Sequence, residues 1–233
     1  MDRSDYLTHL EADGRAFIEA CQAAPTAPVA ACPEWTNTEL LSHLAMVWRF
    51  ALAQVTVADA ANPTGPNIPE GDTPAAALAD VLAAFAEVDL EAPAWNWSPD
   101  LTAAFWVRRM AHETAVHRWD AEQAAGSPQP IGSALAPDTL AEIVEVMVQF
   151  NRKGKVEDFP AGSLHLHGTD AEAEWLLVPG PEGLTVTQEH AKADVAVRGT
   201  TSDLALWLWG RGQGDLTCFG DQDLLDAWAS VTP

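Results

Sequence analysis

Residues 111–122 read AHETAVHRWDAE and lie inside LTAAFWVRRMAHETAVHRWDAEQAAG, residues 101–126, a run of helix formers that stops at Gly126 with SPQP beyond it. Glu113 and His117 stand four residues apart, so on a helix they project from one face about one turn apart. At that separation a carboxylate oxygen and an imidazole nitrogen can share one ion. The stripe containing them runs Trp106, Met110, Glu113, His117 and Ala121 and is otherwise apolar. Both polar groups are therefore expected to be buried, and an ionised carboxylate there costs several kcal/mol unless it is paired or metal-bound.

Working back from this segment, the chain reads as further helices. In TNTELLSHL, residues 36–44, Thr36 and Glu39 stand three apart as a capping box, and Leu40, Leu41, Leu44, Val47, Trp48, Ala51 and Leu52 form the apolar stripe behind it. Ser4 is expected to cap a first helix running to about residue 23. Thr73 caps and Pro74 opens a third helix, to about residue 89. Between the second and third, ANPTGPNIPEGDTP, residues 61–74, carries four prolines and two glycines and reads as a long solvated loop. Beyond the 101–126 segment, Pro137 opens a last helix in PDTLAEIVEVMVQFNRK, residues 137–153, closed by basic residues and Gly154.

After about residue 160 the period changes from 3.6 to 2. SLHLHG, EWLLVPG, LTVTQEH and ADVAVRG are short runs parted by turn residues, with PGPEG as a hairpin connection. TSDLALWLWGR then reads as a short helix, DLTCFG as a strand and DQDLLDAWAS as a closing helix. The expected fold class is α plus α+β: a four-helix bundle over residues 1–157, followed by a small antiparallel α+β domain over residues 158–233.

Composition narrows the function classes. Twelve Lys+Arg against 34 Asp+Glu leave a net charge of -22, which repels phosphate backbones and anionic membrane surfaces, so neither nucleic acid nor membrane is an expected partner. No unbroken apolar run approaches a spanning length, and the N-terminus shows no export signal, so a cytoplasmic protein is expected. Cys21, Cys32 and Cys218 are odd in number and widely spaced without CxxC, which fits reduced thiols.

His43 lies three residues after Leu40 and four before Val47, placing an imidazole on or beside the core stripe of the second helix. His43, Glu113 and His117 then make a three-ligand set for a divalent ion, with an open position as in catalytic rather than structural zinc sites. His112 and His117 are five apart and splay around the helix, so the HExxH of a zinc metalloprotease is absent and His112 belongs to packing or to a supporting position. The competing reading of Glu113 and His117 is a solvated ion pair. Arg118, Asp120 and Glu122 read as a charged outer face, with Arg108 and Arg109 as partners for nearby acids.

HLAMVWRF from His43, RRMAHETAVHRWDAE, VRGTTSDLALWLWGR and FGDQDLLDAW, in that order, resemble the mycothiol-dependent maleylpyruvate isomerase family over nearly the whole chain. The resemblance implies a DinB-like metal-binding four-helix bundle with a C-terminal domain similar to sterol-carrier proteins. It implies His43, Glu113 and His117 as metal ligands, a divalent metal for which zinc suits two nitrogens and one carboxylate without excluding iron, nickel or manganese, and mycothiol as the thiol cofactor. Metal coordination favours the deprotonated thiol as nucleophile. In the isomerase that nucleophile adds to the double bond of maleylpyruvate, permits rotation and leaves. Arg211 is the implied catalytic residue from the C-terminal domain, suited to holding a substrate carboxylate; without the resemblance it reads as a helix-end Arg meeting terminal carbonyls. The expected partners are a low-molecular-weight thiol and a small electrophilic substrate, the residues binding the thiol and the oligomeric state being unspecified. Two alternatives stand: a mycothiol S-transferase acting on an electrophilic metabolite or toxin, and a non-enzymatic metal or small-ligand-binding module in which Trp95, Trp97 and Trp106, or Trp207 and Trp209, line an apolar pocket.

Overall fold

Four long helices make the first unit, each started by a local signal. In the computed structural model, which describes residues 1–151, 159–212, 214–229 and 231, α1 spans Arg3–Ala23, α2 Asn37–Val57, α3 Pro74–Glu87 and α4 Ala103–Ala124. Thr36 and Glu39 form the expected capping box on α2 and Thr73 caps α3. On α1 the cap is Asp2 rather than Ser4. The Asp2 carboxylate accepts from the Asp5 amide at 3.0 Å and the Asp5 carboxylate accepts from the Asp2 amide at 2.9 Å, which satisfies two otherwise orphaned donors two residues earlier than Ser4 could.

The bundle core is built on Trp48 of α2, which is fully buried. Its indole Nε1 donates to Thr114 Oγ1 of α4 at 3.0 Å, and its ring meets Phe17 of α1 edge to face with centroids 6.1 Å apart. Leu10, Leu40, Leu44, Val81 and Phe85 complete this interior at zero exposure. By length and composition α2 is apolar enough to cross a membrane, but its Leu40, Leu44, Trp48 and Ala51 are enclosed by the other helices. The 61–74 loop is mostly exposed, as expected of a solvated connection, and is anchored to α2 and α3 through side chains. Arg49 donates from Nε to Asp72 at 2.8 Å and from Nη1 to Asp80 at 2.6 Å, and Gln54 exchanges hydrogen bonds with the backbone of Thr64.

The chain divides into two compact units at Ile131/Gly132 rather than at 157/158; residues 152–158, with the basic end expected for the last helix, lie outside the described residues. The physical reason is that α5 (Ala136–Glu142), followed by a π-helical turn at Ile143–Met147 and the short α6 (Val148–Asn151), is not a member of the bundle: α5 packs on α7 (Thr201–Leu208) of the second unit. The bundle is thus complete with α1–α4.

In the second unit the strands are β1 (Leu164–Gly168), β2 (Glu174–Gly180), β3 (Gly183–Thr187), β4 (Val195–Gly199) and β5 (Thr217–Phe219), with α8 at Gln222–Ala229. They form one sheet in the order β3-β2-β1-β4-β5. The β2–β3 hairpin closes at Gly180↔Gly183, and Gly183 takes the positive φ of 113° that its turn requires. The sheet is mixed, not purely antiparallel, because β1 and β4 pair in parallel. After the hairpin, residues 188–194 cross back past β1, so β4 starts at the end of the sheet where β1 starts. Leu164, Leu166, Trp175, Leu177, Val195 and Val197 alternate onto one buried face.

Candidate metal centre

The helix signals at Thr36 and at residues 101–126 bring α2 and α4 together with their polar members aligned. His43 Nε2 lies 4.0 Å and His117 Nε2 lies 3.2 Å from the same oxygen, Glu113 Oε1, and the three candidate ligand atoms are all within 4.8 Å of one another. The two imidazoles meet edge to face with centroids 5.4 Å apart. Ligands about 2.0–2.2 Å from a tetrahedral ion stand roughly 3.3 Å apart, so the observed edges bracket that spacing. The predicted trio is therefore brought together, and His117 and Glu113 are largely shielded, with side chains 10% and 17% exposed, while His43 is more open at 28%.

Two further residues complete the cluster: Asp120, whose role the sequence reading missed, and Arg109, the expected partner of a nearby acid but buried rather than at the surface. Asp120, buried and three residues after His117, has Oδ2 3.0 Å from His117 Nδ1. With the Nδ1 proton donated to Asp120, the Nε2 lone pair faces Glu113, the arrangement by which a second carboxylate orients a metal-binding imidazole. Arg109, buried and four residues before Glu113, donates to the other Glu113 oxygen, Oε2. Spacings of three and four on one helix were the available signal for both. Asp120 and Arg118 are not a charged outer face: Arg118 is buried, paired to Asp13 at 2.9 Å and Glu122 at 2.7 Å, and donates to the carbonyl of Pro130. His112 is wholly buried and meets the Tyr6 ring edge to face at 6.0 Å, a packing position.

The electrostatics call for a cation. Burial by itself would raise the Glu113 carboxyl, but Arg109 and His117 outweigh it and hold the group far below the usual carboxylate range. Burial would lower His117, yet Glu113 and Asp120 reverse that and raise it to about 9. His43 is lowered, by burial and by the neighbouring His117. Nitrogens of two imidazoles and an oxygen of one carboxylate lie within 4.8 Å of one another, and either a proton on His117 or a metal ion can sit among them. The donor set fits a divalent metal of the zinc type.

Arg211 lies in the second unit, just beyond α7. Its Nη1 donates to the carbonyl of Trp209 at 2.7 Å and its guanidinium carbon is 5.6 Å from the Trp209 ring centroid. Trp95, Trp97 and Trp106 of the first unit pack edge to face on one another and on Phe50 and Phe105, with centroids 5.0–6.4 Å apart, and Trp106 Nε1 donates to the Trp95 carbonyl at 2.7 Å.

A family profile described as the mycothiol maleylpyruvate isomerase N-terminal domain matches residues 7–122, and the profile of the C-terminal domain of the same family matches residues 134–227. The chain belongs to the mycothiol maleylpyruvate isomerase family. The two profile boundaries bracket the Ile131/Gly132 division, so each structural unit corresponds to one domain of that family. No curated protein matches the chain. Among solved structures, the mycothiol-dependent maleylpyruvate isomerase and a point mutant of it are similar at TM-scores of 0.63 and 0.64, with 16% identity over 94% of this chain and 93% of theirs. That likeness supports the fold of an isomerase-family chain with a helical N-terminal domain and a C-terminal mixed sheet.

Proposed function

We propose that the chain is a metal- and mycothiol-dependent enzyme of the isomerase type, with His43, Glu113 and His117 holding one divalent ion, best suited to zinc. The observation that carries this reading is the convergence of those three side chains on one point with Asp120 bonded behind His117. A bound ion would supply acidity, favouring the thiolate form of a coordinating thiol at neutral pH. The protein's own residues do the remaining work. Asp120 holds the His117 ring in the orientation that aims Nε2 at the site, and Arg109 keeps Glu113 ionised. Glu113, Asp120 and Arg109 together carry one negative charge, so with a dication these three groups leave one positive charge for an anionic sulfur to neutralise. Arg211 is proposed to bind a substrate carboxylate, since a planar guanidinium can hold a carboxylate through two parallel hydrogen bonds. The substrate is proposed to be a small electrophilic acid such as maleylpyruvate, handled in the cytoplasm.

The test is elemental analysis of purified protein, then titration of the cobalt-substituted enzyme with mycothiol, then turnover of maleylpyruvate followed by product mass. The reading expects a change in the cobalt spectrum on adding thiol, and a product of unchanged mass. A product heavier by the thiol would make the protein an S-transferase, and a spectrum indifferent to thiol would end the thiol-dependent reading. Arg211→Ala is expected to leave metal content intact and lower turnover; unchanged kinetics would remove Arg211 from the site.

A further inference from the structure

The sheet unit carries a second convergence of imidazoles on a carboxylate. Leu164 and Leu166 of β1 point into the core, so the alternating residues His165 and His167 stand on the opposite face. In the antiparallel register His167 lies directly opposite Glu174 of β2, which places the carboxylate on the same face. The 188–194 crossover that gives β4 its parallel sense brings His190 over this face. His165 Nε2 is 2.6 Å and His190 Nδ1 is 3.2 Å from Glu174 Oε2, and the His165 and His190 rings meet edge to face at 5.1 Å. His167 Nδ1 bonds the other oxygen, Oε1.

These contacts differ from an ordinary polar sheet face. His165 has only 8% of its side chain exposed, and two ring nitrogens, one from the strand and one from the crossover, meet the same carboxylate oxygen. The His165, Glu174 and His190 ligand atoms all lie within 4.8 Å of one another. Two nitrogens and one oxygen at this separation match a zinc-class ion and not calcium or magnesium, which prefer all-oxygen shells. The His167 bond to the far oxygen is the kind of support that fixes a ligating carboxylate. We propose that His165, Glu174 and His190 bind a divalent transition-metal ion, with His167 as a positioning residue for Glu174, and that the ion clamps the 188–194 crossover onto the sheet. The site is independent of the bundle trio, with which it shares no residue. Its role is structural: His190 has 76% of its side chain exposed on the crossover, and the ion would tie that segment down.

The test uses the full chain, stripped with chelator and titrated with zinc by calorimetry, alongside tryptic cleavage after the exposed Lys192. The wild type is expected to bind two equivalents, Glu174→Gln and His190→Ala one each, and His117→Ala one. Zinc is expected to slow cleavage at Lys192 in the wild type and in His117→Ala but not in Glu174→Gln or His190→Ala. His190→Ala changes an exposed loop residue, so misfolding cannot mimic the loss. Wild-type stoichiometry in both sheet variants, or zinc protection of Lys192 that survives them, would overturn the proposal. One equivalent in the wild type that Glu174→Gln abolishes would uphold it while removing the bundle site, so the two readings fail separately.

Discussion

The two histidine–carboxylate clusters found among the described residues use similar donors on different scaffolds. In the bundle, Arg109, Glu113, His117 and Asp120 ride on one helix, and a single tertiary contact, that of α2 with α4, adds His43. In the sheet, His165 and His167 come from one strand, Glu174 from its neighbour and His190 from a crossover. The bundle cluster brings its own supporting charges, a guanidinium on the glutamate and a carboxylate behind the histidine. The Glu174 carboxylate instead meets the imidazoles of His165, His167 and His190. The difference teaches that a helix can preassemble a site and its support by spacing alone, whereas a sheet needs correct register and a correctly routed loop before its ligands meet.

The comparison breaks most visibly at His117. His117→Ala is expected to empty the bundle site and to reduce activity more than about 100-fold, beyond the effect of losing only a supporting contact, while circular dichroism stays native. Full metal occupancy in that variant would dissolve the contrast. Asp120→Asn isolates the supporting carboxylate. It should weaken metal affinity at the bundle about 10–100-fold without changing zinc binding in the second unit, and competition with a chromophoric chelator measures both.

A pH experiment sharpens the same point. In metal-free protein the His117 value is raised to about 9 from an ordinary 6.5, so protonated His117 stabilises the fold. That contribution is fully present below about pH 6.5 and is lost as pH climbs through about 9. Denaturant midpoints of the stripped wild type should therefore fall over this window more steeply than those of His117→Ala. Parallel curves would show that His117 has no such coupling. The smallest effect concerns the scaffold: Thr36→Ala removes the α2 cap and should cost about 1 kcal/mol, with the melting temperature lower by roughly 2–4 °C.

Much of this was legible in the chain because helical chemistry is local. The capping box at Thr36 and Glu39 and the stripe through Trp106, Met110, Glu113 and His117 depend on spacings of three and four, which no distant contact alters. Asp120 was misassigned to an outer face for a nonlocal reason. Its spacing from His117 was visible, but whether that side of α4 meets solvent or protein depends on where α1 lies, and Arg118 of the same segment is buried against Asp13. The division at Ile131 escaped prediction similarly, since the 137–151 helix is apolar enough for either unit and only its packing on α7 decides between them.

By itself, then, the sequence determined the helices, the strands, the family and the three residues that meet in the bundle cluster, all carried by short spacings and ordered motifs. Only tertiary structure decided that β4 runs parallel to β1, that Asp120 stands behind His117, and that His190 closes on Glu174. Those outcomes depend on strand register and chain routing, whose free energies come from contacts between residues far apart in the chain.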